Sequence, residues 1–354
     1  MNTVSKRQSL LLFSVAVLVV GFLLFNRQAE LALIHEFGGG TMGTRYNVKL
    51  VDLPRDQTVE QIAFEVSRIL QRVDREQMST YAPDSELSRL NAAPVGQDIP
   101  LSPQLNEVLA LALELNALTG GAFDVTVGPL VNRWGFGPED RRADRIPSQQ
   151  EIDALLASVG SHHLQLDRAN ASVRKTANVY VDLSGIAKGY AVDRVAEYLD
   201  SLGITSYFIE VGGELRIRGY KPGNLSWVPA IEKPVDTAPQ VHNIFYARGE
   251  PIAVAGSGDY RNYFEADGVH YSHEIDPQTG RPVRHNLAGV YVIDSTAARA
   301  DALATAFMVM GAERAYALAE SLDLAVYFVT RDDANDAFED RYTPRFEHYL
   351  HSGD

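Results

Sequence analysis

The chain has 354 residues, enough for one large domain or two ordinary ones, and its 45% hydrophobic and 22% charged residues are those of a globular protein. Its formal net charge is −14, and −16 once residues 1–30 with Lys6, Arg7, Arg27 and Glu30 are set aside; this argues against nucleic acid as a partner. The same acidity would repel a dianionic ligand unless a local cation or metal neutralised its site, and the absence of cysteine excludes disulfides, thiolate chemistry, cysteine-held metals and a lipoprotein anchor.

Lys6 and Arg7 precede an uncharged, mostly apolar run of 17 residues, Ser9 to Phe25. A core helix of that length would show a polar stripe, and none is present. Residues 9–25 therefore read as a membrane anchor or uncleaved signal. Two basic residues ahead of the run place residues 1–8 in the cytoplasm and the body outside, as a single-pass protein of a bacterial inner membrane with its body in the periplasm. Residues 26–40 end in Phe37-Gly38-Gly39-Gly40 and read as a flexible tether.

The body is expected over 41–345, with a short tail at 346–354. Arg45 to Leu50 alternates as a half-buried strand, and 58–75 carries apolar residues at helical spacing. A second apolar helix is expected over 103–118, stopped by Gly120-Gly121. Ser148 and Glu151 form a capping-box signal for a helix to about 158. Strands are expected near 162–167, 171–176 and 178–183, then a helix from Ile186 to Leu202. Residues 206–211 and 213–219 flank Gly212-Gly213, a hairpin or bulge. Further strands are expected near 227–232, 251–255, 260–266 and 288–294. Helices at 296–310 and from 312, and a terminal strand over 324–330, close the fold. Tight turns between strands make the class α+β, with mixed, mainly antiparallel sheets packed with helices in one compact body with room for two lobes.

Four segments carry chemistry. In Asp182-Leu183-Ser184-Gly185-Ile186-Ala187-Lys188 a strand meets a helix, where free backbone N–H groups favour anions; an ordinary N-cap stands beside that reading. In Arg299-Ala300-Asp301-Ala302-Leu303-Ala304-Thr305, Asp301 and Thr305 share one face of a helix that is nearly all apolar. A carboxylate there needs a metal or a cation such as Arg299, and these oxygen donors suit magnesium. Ala122-Phe123-Asp124-Val125-Thr126-Val127-Gly128-Pro129 reads as a short strand with a turn, Phe123 available to a flat ring and Asp124 to hydrogen-bond donors. The fourth pairs Gly256-Ser257-Gly258-Asp259-Tyr260 with Tyr271-Ser272-His273-Glu274-Ile275-Asp276-Pro277-Gln278-Thr279-Gly280, in which Asp276-Pro277 and Gly280 mark a tight turn and His273 is a candidate base or phosphate contact. Walker, zinc-protease and nucleophile-elbow spacings are absent.

In this order, together with Thr41-Met42-Gly43-Thr44, the segment from Met78 to Ser88 and Glu210-Val211-Gly212-Gly213-Glu214, these segments resemble the ApbE flavin transferases over about residues 41–311. The resemblance implies an enzyme that moves FMN from FAD onto a Thr or Ser hydroxyl of an acceptor protein and releases AMP. It implies that Met42, Tyr81, Ala122, Phe123, Asp124, Asp182 and Lys188 hold FAD, with His273 and Ile275 near it. It implies magnesium at Asp301 and Thr305, with backbone oxygens of Gly185 and Ala304. His273 is the candidate for the proton transfer, with Asp301 or a metal-bound water as substitutes. Family acceptors are extracytoplasmic subunits of membrane redox complexes. A magnesium-dependent FAD pyrophosphatase and a non-catalytic flavin carrier remain alternatives on the same motifs.

Overall fold

Eight strands pair side by side in the order in which they occur along the chain: β1 (Ile34–Thr41), β2 (Thr44–Val51), β3 (Ser206–Val211), β4 (Glu214–Gly219), β5 (Gly249–Gly258), β6 (Leu287–Asp294), β7 (Ala325–Asp332) and β8 (Ala337–Tyr342). Every neighbouring pair is antiparallel, which bears out the expected α+β class. The computed structural model describes residues 33–137, 146–266, 268–332, 335 and 337–352. The apolar run 9–25 lies outside the described residues, and among those described no helix is long and apolar enough to cross a membrane.

Both faces of the sheet are covered, because strand residues alternate between two cores. In β7, Val326 and Phe328 join one core, while Ala325, Tyr327 and Val329 join the other. The first core lies under helices α1 (Val59–Gln71), α2 (Pro103–Leu118), α3 (Ala187–Ser201) and α4 (Ala297–Met310), followed by α5 (Ala312–Ser321). Thr58 closes a capping box with Gln61 at the start of α1, and Ser102 accepts from Leu105 N at the start of α2. The expected box at Ser148 and Glu151 is present and opens the helix Gln149–Leu156. The second core is sealed by Trp227, Phe245 and the helix α6 (Pro344–Leu350). A small third cluster of Leu130, Trp134, Ile152, Tyr271 and Ile275 anchors the segment between β5 and β6.

Several expectations need correction. Residues 34–40 are not tether: they pair residue for residue with β2, leaving only 26–33 ahead of the folded body. The reason is the length of the ladder, which absorbs three consecutive glycines because each also has a partner on β2. Residues 346–354 are not simply a tail, since Phe346 and Tyr349 of α6 are buried against the second core. The strand at 324–330 is not terminal; β8 and α6 follow it. The helix predicted over 58–75 ends at Gln71 and continues as wider π-type turns from Arg72 to Met78. Residues 122–127 form turns, not a strand, with Thr126 N and Oγ1 both donating to Asp124 Oδ1 at 2.8 and 2.6 Å.

The predicted strand 178–183 is extended but joins no ladder. Its partner is a side chain: Asn91 Nδ2 donates to Val181 O at 2.8 Å, and Val181 N donates to Asn91 Oδ1 at 2.7 Å. One amide thus does what a neighbouring strand would do, and it fixes the approach to Asp182. Val181 is fully buried, so Asn91→Ala leaves its N–H and C=O unpaired. We expect a loss of about 1–3 kcal/mol in urea unfolding; an unchanged midpoint would show that water replaces the amide.

Candidate active site

The long segment between β2 and β3, the segment between β5 and β6, and helix α4 close around a cleft of about 640 Å³. Met42 enters it from the two-residue turn between β1 and β2, where it takes a left-handed φ of 48°. Its N–H donates to Asp74 Oδ2 at 3.2 Å, which ties the turn to the π-type segment. Tyr81 stands at the rim, 62% exposed.

The floor is built on α3 and α4. Asp301 is 2% exposed, and its Oδ2 accepts from Gly189 N at 3.0 Å. Its Oδ1 lies 3.6 Å from Lys188 Nζ, which in turn sits 2.5 Å from Glu214 Oε1. The buried carboxylate therefore has a cation, but Lys188 rather than Arg299; the latter pairs with Asp294 and Glu114. Thr305 follows one turn later on α4. A Cβ on Gly185 would lie 3.0 Å from Thr305 Oγ1 and 3.3 Å from Phe123 Cε2, so the Gly185 backbone is pressed against both.

The electrostatics follow from one lysine facing two buried carboxylates. Burial pulls the Lys188 pKa down, but Asp301 and Glu214 outweigh it and hold the ammonium above its ordinary value. Burial pushes Glu214 up to about 8 against the attraction of Lys188, and its Oε2 has no hydrogen-bond partner among the described residues. Lys188 thus stays charged between the two carboxylates, and Glu214 keeps its proton to near neutral pH.

Asp182 Oδ1 accepts from Ser184 N and Oγ at 2.8 and 2.5 Å, while Asp182 N donates to Val125 O at 2.7 Å. The Asp182 and Phe123 segments are thereby stitched together. Asn116 and Thr119, at the end of α2, hold Phe123 by its backbone. The Asp124 carboxylate is engaged on both oxygens, by Thr126 and Ser161 on one and by Ser161 N and Asn116 on the other. It acts within the fold as the clasp of this turn. On the opposite wall His273 Nε2 lies 3.4 Å from Glu274 Oε1, and the ring stands edge-on to Phe136. Burial raises the Glu274 pKa while His273 pulls it back. Ile275 packs in the third cluster, and the expected turn after it is present, Gly280 N donating to Asp276 O at 2.8 Å.

The cleft thus brings together Met42, Tyr81, Ala122, Phe123, Asp124, Asp182, Gly185, Lys188, His273, Ile275, Asp301 and Thr305. Ala304 is fully buried in α4 beside them and is not on the cleft wall. Sequence reasoning gave no role to Glu214 and Glu274, two buried carboxylates on that wall. It also missed the knot at the mouth, where Tyr260 and Arg261 both bond Glu232. Alternation gave no signal for Glu214, which shares its face of β4 with Arg216 and Arg218, opposite Leu215 and Ile217.

The family model described as "ApbE family" matches residues 42–328. The chain belongs to the ApbE family. It is 45% identical over 314 residues to the "FAD:protein FMN transferase" of Vibrio cholerae serotype O1, covering 88% of this chain and 91% of that one. The relative of the same name from Escherichia coli K12 is 39% identical over 315 residues, 88% of each chain. Among solved structures, the flavin transferase ApbE from Vibrio cholerae superposes with a TM-score of 0.82 at 43% identity, over 90% of this chain and all of that one. The apo flavinyl transferase ApbE of Pseudomonas stutzeri superposes with the same score at 41% identity, over 91% and 98% of the two chains.

Glu214 yields a pH test. Its folded value lies above its ordinary 4.5, so the folded state holds a proton that the unfolded chain has released. The stabilisation from this site is complete below the ordinary value and is lost as pH rises towards about 8. In magnesium-free buffer, Glu214→Gln should flatten part of the decline in urea midpoint across that window; an unaltered slope would mean that Glu214 is ionised in the fold.

Proposed function

We propose that the protein is an FAD:protein FMN transferase that uses magnesium at Asp301 and Thr305 to move FMN onto a Thr or Ser hydroxyl of an acceptor protein, with AMP as the other product. The observation that carries this reading is a cleft in which an aromatic and apolar wall meets Lys188 between two buried carboxylates. Family membership and relatives of that name at 39–45% identity support the transferase activity.

The donor set fits magnesium. Asp301 keeps one oxygen clear of backbone donors, the Thr305 hydroxyl follows on the same face, and the backbone of Gly185 lies against it. Among the described residues no group of three or more His, Cys, Asp or Glu could hold a metal. The remaining ligands would then be backbone oxygens of Gly185 and Ala304 and oxygens of the substrate, a hard shell that suits magnesium rather than zinc. Bound there, the ion would supply the positive charge that an acidic protein needs at a pyrophosphate.

The chain's own residues do the rest. Met42, Tyr81, Ala122, Phe123 and Ile275 offer surface for the flavin rings, and Asp182, Asp124 and the segments they brace set the position of that surface. Lys188 presents a permanent cation to the phosphates. The acceptor hydroxyl attacks the FMN-side phosphorus, the bond to the AMP phosphate breaks, and His273 takes the hydroxyl proton. His273 suits this because it stands on the cleft wall, its Nε2 3.4 Å from the Glu274 carboxylate. We further read residues 9–25 as an inner-membrane anchor with the body in the periplasm, on the strength of the apolar run and the basic residues before it. That side would give access to extracytoplasmic subunits of membrane redox complexes.

The test incubates the detergent-solubilised protein with FAD, magnesium and a candidate acceptor. Covalent flavin on the acceptor with one AMP per flavin is expected. Free FMN without labelled acceptor would make the protein a pyrophosphatase, and tight FAD binding without AMP would make it a carrier. Asp301→Ala should lower turnover on the order of 10²-fold or more, as chelation with EDTA should; full activity at ordinary magnesium would remove Asp301 from the metal site.

A further inference from the structure

Helix α3 carries a buried carboxylate of its own on the face it turns to α4. Asp193 lies one turn beyond Gly189, is 6% exposed and does not line the cleft. Its Oδ1 accepts from Ala297 N and its Oδ2 from Ala298 N, both at 2.9 Å. These are N–H groups of the first turn of α4, which have no partner within their own helix. Arg216 Nη1 stands 3.3 Å from Asp193 Oδ1 and donates to Ser295 O at 2.5 Å, so the carboxylate is held from behind.

The return contact runs the other way. Gly189 N, in the first turn of α3, donates to Asp301 Oδ2 on α4. The two helices therefore exchange carboxylates, each capping the start of the other. Between the two bonds the backbones nearly touch: a Cβ on Gly189 would lie 2.2 Å from Ala297 O. Helix α4 also has a local cap, Thr296 Oγ1 accepting from Arg299 N at 3.4 Å, but a local cap sets nothing between helices. Asp193 does, because both of its oxygens fix the height and rotation of α4 against α3.

We infer that Asp193 is a positioning residue for the magnesium site: it sets α4 so that Asp301 spends Oδ2 on Gly189 and turns Oδ1 into the cleft beside Lys188 and Thr305. The inference rests on the reading of Asp301 and Thr305 as metal ligands. Asp193 touches neither substrate nor metal in it, and acts through the setting of one helix. Losing such a support typically weakens metal binding by about 10–100-fold.

The experiment titrates magnesium into the full chain, without FAD, and reads the rise in melting temperature. The same titration is followed by turnover with FAD and acceptor. Asp193→Asn turns an amide donor towards one of the two N–H groups, so one must lose its acceptor. The magnesium concentration for half effect should rise about tenfold or more in both titrations, with FAD affinity in the absence of metal unchanged. A lower melting temperature with the wild-type magnesium midpoint would overturn the inference and leave Asp193 a structural cap. Where Asp193→Asn does not fold, Arg216→Gln decides, since it keeps both backbone bonds of Asp193 and removes the supporting charge together with the bond to Ser295 O: a midpoint raised severalfold supports the inference, and an unchanged one overturns it. Wild-type protein that neither gains stability from magnesium nor loses turnover to EDTA would instead sink the metal reading itself.

Discussion

The contact on which the site depends is the near-touching of two helix starts at Gly189. No side chain fits there, because the carbonyl of Ala297 occupies the space that a Cβ would take. That closeness brings a backbone N–H of one helix to the carboxylate of the other, and it buries Asp301 beside Lys188, whose ammonium answers its charge. Helix pairs usually meet through interdigitating side chains at 8–10 Å between axes. Here the backbone itself is a packing surface, and the proposed site is built directly on it.

Around this pair the sheet serves as a frame. Its strands follow chain order, so the recognition elements arrive as insertions between neighbours: one long segment after β2, others after β4 and β5, and α4 after β6. The insertions then hold one another by polar contacts. Gln278 Nε2 reaches Gly120 O, and Trp134 Nε1 reaches Gly280 O, so the His273 side of the cleft is fastened to the Phe123 side across more than a hundred residues of sequence. Those bonds, with the third apolar cluster, give a surface made of loops a defined shape.

Most regular elements were legible because their signals are local. The helix 103–118 is bounded as its apolar pattern and paired glycines imply, and the hairpin at Gly212-Gly213 lies where the turn chemistry puts it. The misreadings have different causes. Residues 178–183 have strand-like composition, but the distant side chain of Asn91 meets the backbone needs of Val181, whereas 122–127 turns because Asp124, within the segment, accepts from Thr126 N. Residues 34–40 look like a linker because of three glycines, and only the ladder with β2 makes them part of the fold. At the site, the residue types were readable from the motif order, whereas the pairing was not. Arg299 was the nearer cation in sequence; the hairpin turn at Gly212-Gly213, followed by Glu214, is what brings Lys188 its second carboxylate. Asp193 looks like any polar residue on a helix until α4 is seen lying across it.

The early start of β1 bears on reach. With Phe25 held at a bilayer surface, residues 26–33 span at most about 29 Å even when fully extended. The first strand is locked along its whole length, so no slack can be drawn from it. On the proposed anchor, such a leash would let the body turn but not roam, and the volume it swept would be a shallow dome against the lipid. A client would then have to offer its acceptor group within that dome, which would favour clients confined to the same membrane plane over ones drifting free. A short leash would thus act as a filter on encounter, selecting by altitude before any contact with the cleft is made.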